Sequence, residues 1–136
     1  MRFIFIFPIF IFANFVSANS LNEKDLTGLW QPSGEVPRAT GINNYTLNIA
    51  NDLSASYKSL DSDITLNCAF KPSASQASIF VYYCYLGKDH LITLALGGWV
   101  SDLGHMQLFG YEYWLGHPKR GDIHGGLPVS LVKKNT

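Results

Sequence analysis

The chain has 136 residues, with ten Lys and Arg against ten Asp and Glu, four His, two Cys and 14% aromatic residues. A net charge of zero with no basic stripe argues against nucleic acid as a partner. No polybasic or amphipathic helical segment offers attachment to a membrane surface.

The sequence opens on Met1-Arg2-Phe3 and an almost unbroken apolar run over 3–16, interrupted by Pro8 and closed by Val16-Ser17-Ala18. One cation, an apolar stretch and small terminal residues are the grammar of a secretory signal. The run is roughly 14 residues, short of the about 20 that a spanning helix takes. A buried N-terminal helix is the rival reading, but nothing before Arg2 could cap or pack one. Cleavage is expected after Ala18, which leaves 1–18 as signal peptide and 19–136 as a single domain with one core. The mature protein is expected outside the cytoplasm, secreted or periplasmic. No Cys follows the expected cleavage site, so no lipid anchor is expected.

Beyond residue 19 there is little helical periodicity. Apolar residues alternate in short runs bounded by Gly, Pro, Asn, Asp and Ser, which is the pattern of strands and turns. Eight runs are predicted as strands: 26–31, 45–50, 53–60, 63–70, 78–86, 90–100, 105–115 and 127–133. In the fourth, Ile64, Leu66, Cys68 and Phe70 share one face. In the fifth, Cys84 shares a face with Phe80, Tyr82 and Leu86. Both cysteines therefore point to the apolar face of consecutive strands, and in an oxidising compartment a Cys68–Cys84 disulfide is expected. A two-Cys metal site is the alternative, with no His at zinc-like spacing to complete it.

Short turns between consecutive strands make a meander. Eight such strands can close on themselves and remove their exposed edges, so the expected fold is an all-β, eight-stranded, antiparallel up-and-down β-barrel, with an open sandwich as rival. In a closed meander the odd-numbered connections share one end. The two longest, 32–44 and 116–126, are both odd, which marks that end as the expected working end.

Chemistry-bearing motifs are sparse. His117 and His124 share a loop with Asp122, without a recognised metal spacing, and no metal or cofactor is expected. No nucleophile, base or metal constellation is present, so an enzyme is not expected. Glu112, in an aromatic-rich strand, is expected to face water or meet a cation, with a raised pKa if it is buried instead. The fifth strand is apolar on both faces, with Ile79, Val81, Tyr83 and Tyr85 opposite the Cys84 side. Such a strand needs two covers: the barrel core and, as expected here, a second subunit.

Thr27-Gly28-Leu29-Trp30 opens the first strand. This Gly-x-Trp resembles the opening motif of the calycin superfamily, which includes lipocalins and avidins. The resemblance implies that Gly28 permits close backbone approach and that Trp30 plugs the closed end of a barrel. Leu53-Ser54-Ala55-Ser56-Tyr57-Lys58-Ser59 is similar to an avidin segment whose Tyr and Ser touch ligand. Trp99 and Trp114-Leu115 are similar to the late tryptophans that wall the biotin pocket, and Tyr85 stands about where avidins carry another Trp. The resemblance implies a ligand wall of Tyr57, Ser59, Tyr85, Trp99 and Trp114. Ser101-Asp102-Leu103 resembles the Thr-Asp-Tyr of lipocalins at one residue, Asp102. Pro32 stands where avidins have an Asn that bonds the ureido end of biotin, and no Asp precedes the last strand in register.

Two functions follow as expectations. One is an exported barrel that binds a small molecule, biotin or a similar ligand. The other is a hydrolase inhibitor or immunity protein whose odd-end loops engage a protein target through Arg38, Lys119, Arg120 and Asp122. Hydrolase or isomerase chemistry at His117, Asp122 and His124 is a third and lesser reading.

Overall fold

The computed structural model describes residues 20–34, 44–75, 79–115 and 126–135. The predicted signal peptide lies outside them. A four-residue helix, α1 (Glu23–Leu26), is followed by β1 (Gly28–Pro32), β2 (Tyr45–Ile49), β3 (Ala55–Ser59), β4 (Thr65–Phe70), β5 (Ile79–Leu86), β6 (Asp89–Val100), β7 (Met106–Trp114) and β8 (Gly126–Lys133). Each strand pairs antiparallel with the next, and β8 returns to β1 to close the barrel. The expected fold class is what the structure has.

The strand bounds agree with the alternation except where local hydrogen bonds win. Residues 22–26 form a helical turn instead of leading straight into β1. Asn22 caps it, its Oδ1 accepting from Lys24 N at 3.0 Å, while Asp25 Oδ2 accepts from Asn22 N at 2.9 Å. This reciprocal capping box satisfies free helix-end donors and delays β1 to Gly28. Likewise Leu53, read as strand, lies in the turn before β3 with φ of 67°. There Asp52 Oδ1 accepts from Ser54 N at 3.0 Å and Ser54 Oγ at 2.6 Å.

Alternation then sorts side chains inward and outward. The interior holds Trp30, Tyr45, Leu47, Ile49, Tyr57, Leu66, Phe80, Tyr82, Ile92, Leu94, Leu96, Leu108, Val129 and Leu131, all buried. Cys68 and Cys84 stand directly opposite one another across β4 and β5 and are bonded within this core. Such a crosslink is more typical of exported proteins. Among the described residues, no helix is long and apolar enough to cross a membrane.

The end that carries the even-numbered connections is plugged. Trp30 Nε1 donates to the Leu26 carbonyl at 2.7 Å, and Lys133 Nζ lies 5.7 Å from the Trp30 ring centroid while donating to the Asp25 carbonyl at 2.7 Å. Gly28 has φ of 129°, and a Cβ there would sit 3.0 Å from Lys133 Cε. Leu21 completes the plug by filling the space that a side chain on Gly98 would need.

Replacing both Cys68 and Cys84 with Ala releases a loop spanning a sequence separation of 16. By chain entropy this should cost about 3 kcal/mol. Urea unfolding of the oxidised protein and the double variant measures it, and the variant's midpoint is expected at lower urea.

Candidate functional site

The odd-numbered connections, β1–β2, β3–β4, β5–β6 and β7–β8, all leave from the end opposite the Trp30 plug. The inner face at this odd end is built from the start of β2, the end of β3 and the end of β7. Tyr45 and Ser59 are register partners there, and Tyr45 stacks on Tyr57 with ring centroids 4.0 Å apart. On β7 the inward positions are Leu108, Gly110, Glu112 and Trp114. Glu112 is wholly buried, not facing water or a cation as the sequence suggested. Alternation from Leu108 carries it inside, and its partner is an indole: Trp114 Nε1 donates to Glu112 Oε1 at 3.1 Å.

The electrostatics of this cluster follow from burial. Loss of hydration pushes the Glu112 carboxyl up to about 7, partly offset by the hydrogen bond from Trp114. The Tyr45 phenol is held well above its ordinary range, first by burial, then by the Glu112 charge and then by Tyr57. Two polar atoms here, Glu112 Oε2 and Tyr45 Oη, are buried without a hydrogen-bond partner among the described residues. An unpaired buried polar group costs about 1–3 kcal/mol, and more when charged. The arrangement places a carboxylate acceptor, a phenol and two further aromatic rings at one end of the interior.

Of the five residues expected to wall a ligand, three meet at this end. Tyr57 is buried in the interior beside Tyr45. Ser59 lies half-buried at its rim, its Oγ accepting from Asp61 N at 3.3 Å. Trp114 is half-buried and packs against the core. Tyr85 and Trp99 are elsewhere. Tyr85 follows a register shift between β5 and β6 and lies on the outer face, its ring 5.0 Å from that of His90. Trp99 is also outside, 5.9 Å from Phe109 between ring centroids. Both stand at odd offsets from the inward residues of their strands, so neither shares the inner face with Tyr57.

Sequence reasoning missed Tyr45 as a site residue and misplaced Glu112. The signal was available in the alternation of 106–114, which puts Glu112 on the same face as Leu108. Arg38, Lys119, Arg120 and Asp122 lie outside the described residues, as do His117 and His124. Among the described residues, no group of three or more His, Cys, Asp and Glu could hold a metal ion. Comparison with protein-family models, with curated proteins and with solved structures finds no match to this chain.

Glu112 makes stability depend on pH. Its folded pKa of about 7 lies above the ordinary 4.5, so the folded state holds a proton that the unfolded state gives up. Stability is therefore greatest below about 4.5 and falls as pH rises to about 7, by roughly 3 kcal/mol in all. Glu112→Gln removes the ionisation. Thermal unfolding should show the variant matching the parent at pH 4 and exceeding it at pH 8.

Proposed function

We propose that this protein is an exported binding barrel, not an enzyme, and that it takes a small ligand into its odd end. Tyr45, Tyr57, Ser59, Glu112 and Trp114 are the contacts. The observation that carries this reading is the pair of buried atoms, Glu112 Oε2 and Tyr45 Oη, that have no partner among the described residues and lie on the inner face of one end. A ligand with an N–H donor would satisfy the carboxylate, and an acceptor on the ligand would take the phenol hydrogen. Tyr57 and Trp114 supply flat apolar walls with polar tips.

The closed eight-stranded barrel is compatible with calycin-like folds. Within that class the avidin-like reading is supported by Tyr57, Ser59 and Trp114, whose positions on the inner face agree with the roles the resemblance implies. Biotin is accordingly the first ligand to try. Its ureido group carries N–H donors suited to Glu112, which would act in place of the Asn and Asp missing from the sequence.

Titration calorimetry of the oxidised protein with biotin at pH 8 is the test. Binding is expected, and Glu112→Gln should weaken it about 30-fold, the equivalent of one hydrogen bond to a charged group. Affinity of the parent should also fall as pH drops below about 7, where Glu112 takes up its proton. Absence of heat at saturating biotin would discard that ligand. Binding that Glu112→Gln leaves unchanged would discard the site.

A second reading has one observation of its own. The connections β1–β2 and β7–β8, which contain Arg38, Lys119, Arg120 and Asp122, emerge at the same end and flank the same strand. Rigidly anchored neighbouring loops suit the blocking of a protein target. Under that reading the Lys119→Ala, Arg120→Ala double variant loses a protein partner in a pull-down competition. Under the first it leaves biotin binding intact.

A further inference from the structure

The outer wall of the barrel is divided into two unlike halves. On β2, β3 and β4 the outward residues are Thr46, Asn48, Ser56, Lys58, Thr65, Asn67 and Ala69, a polar surface of the kind water covers. On β5, β6 and β7 the registers bring together three rows: Ile79, Gly97 and Phe109; Val81, Ala95 and Tyr111; Tyr83, Thr93 and Tyr113. Small residues occupy the middle strand in every row, with large apolar ones on the flanks. The result is a shallow trough along β6 between a ridge on β5 and a ridge on β7. Trp99 closes one end of the trough beside Phe109.

These large side chains are open to solvent. Ile79 is 51% exposed, Trp99 36%, Phe109 41%, Tyr111 48% and Tyr113 42%. None of the outward residues in the three rows carries a charge. At roughly 150–250 Å² for each side chain, the five expose roughly 300–550 Å² on one molecule, as much as the largest patch on a typical monomer. Two copies meeting here would remove roughly 600–1,100 Å² from these five alone, close to the about 1,000 Å² that a specific interface needs. Tyr83 and Tyr85, both partly exposed, adjoin the patch and would add to it.

We infer that this face is the interface of a homodimer. A two-fold axis makes the same surface meet itself, and ridge beside trough is a self-complementary shape. Under such an axis the β7 ridge of Phe109, Tyr111 and Tyr113 enters the partner's trough over Gly97, Ala95 and Thr93. The charge set against these rows, the Lys71 ammonium 5.1 Å from the Tyr83 ring centroid, lies at their margin, and the chain itself has no net charge to repel a second copy. The inference stands apart from the ligand site, because the interface residues point away from the barrel interior.

Sedimentation equilibrium of the oxidised protein over a wide concentration range tests it. A dimer is expected for the parent. Tyr111→Arg places a charge in the middle of the apolar face and should weaken self-association about 30-fold or more, the effect of losing one interface hot spot. Phe109→Glu should act in the same direction, and Thr46→Arg, on the polar half, should leave the dimer intact. Far-ultraviolet circular dichroism confirms that each variant keeps its strands, and exposed positions tolerate such changes. A parent that is monomeric at every concentration overturns the inference. So does an oligomer that neither Tyr111→Arg nor Phe109→Glu weakens.

Discussion

The pairing of β8 with β1 is the contact on which the rest of the molecule depends. It consists of three register pairs, Trp30 with Lys133, Gln31 with Val132 and Pro32 with Leu131. An antiparallel meander would form without it, but the first and last strands would then be exposed edges and the interior would have no wall on that side. The seam is short and reinforced at both ends. Ser33 N donates to the Ser130 carbonyl at 3.0 Å and Ser33 Oγ donates to Ser130 Oγ at 2.7 Å, while at the other end Lys134 N donates to the Leu29 carbonyl at 2.8 Å. Lys133 joins the seam to the plug, since its ammonium reaches both Trp30 and the Asp25 carbonyl. Closure of the sheet and closure of the even end are thus achieved by the same few residues.

Sealing one end leaves the other to differ from it chemically. At the even end the polar group of the plug is satisfied: the Trp30 indole has the Leu26 carbonyl and lies wholly buried. At the odd end, Glu112 and Tyr45 are as deeply buried, and each keeps an atom without a partner among the described residues, as Tyr82 Oη also does nearer the even end. A hydrophobic residue at 112 would remove the cost of taking a carboxylate out of water. The Glu there, with Trp114 bonded to one of its oxygens, sets the odd end apart by a buried carboxylate.

Much of the fold was legible in the sequence because strands announce themselves by alternation and turns by Gly, Pro, Asn and Asp. The face-sharing of Cys68 and Cys84 with apolar neighbours was enough to anticipate their bond, and the parity of the connections placed the two long loops together. The capping box at Asn22 was missed because four helical residues leave no periodic trace; only the hydrogen bonds reveal it. The site was legible in part. Tyr57, Ser59 and Trp114 share the odd end, but Tyr85 and Trp99 do not, because a resemblance in residue type carries no parity. Trp99 sits three positions beyond the inward Leu96, which alternation alone places outside. Glu112 shows the opposite case, where a charged residue type suggested water and parity carried it into the core.

β5 ties these features together, because it is apolar on both faces. Inward, Phe80, Tyr82 and Cys84 form core, and the disulfide fastens the strand to β4. Outward, Tyr83 receives the Lys71 ammonium at 5.1 Å and stacks on His90 at 4.5 Å, so its part of the surface is already organised. Ile79, at the other end of the same strand, has no such cover among the described residues and is half exposed. A strand of this kind would be a liability in a monomer, since apolar surface left in water favours indiscriminate association. In a dimer the same surface has a defined partner. The sidedness of the wall, polar on β2 to β4 and apolar on β5 to β7, would then limit that association to two copies, because the half facing away offers nothing to a third.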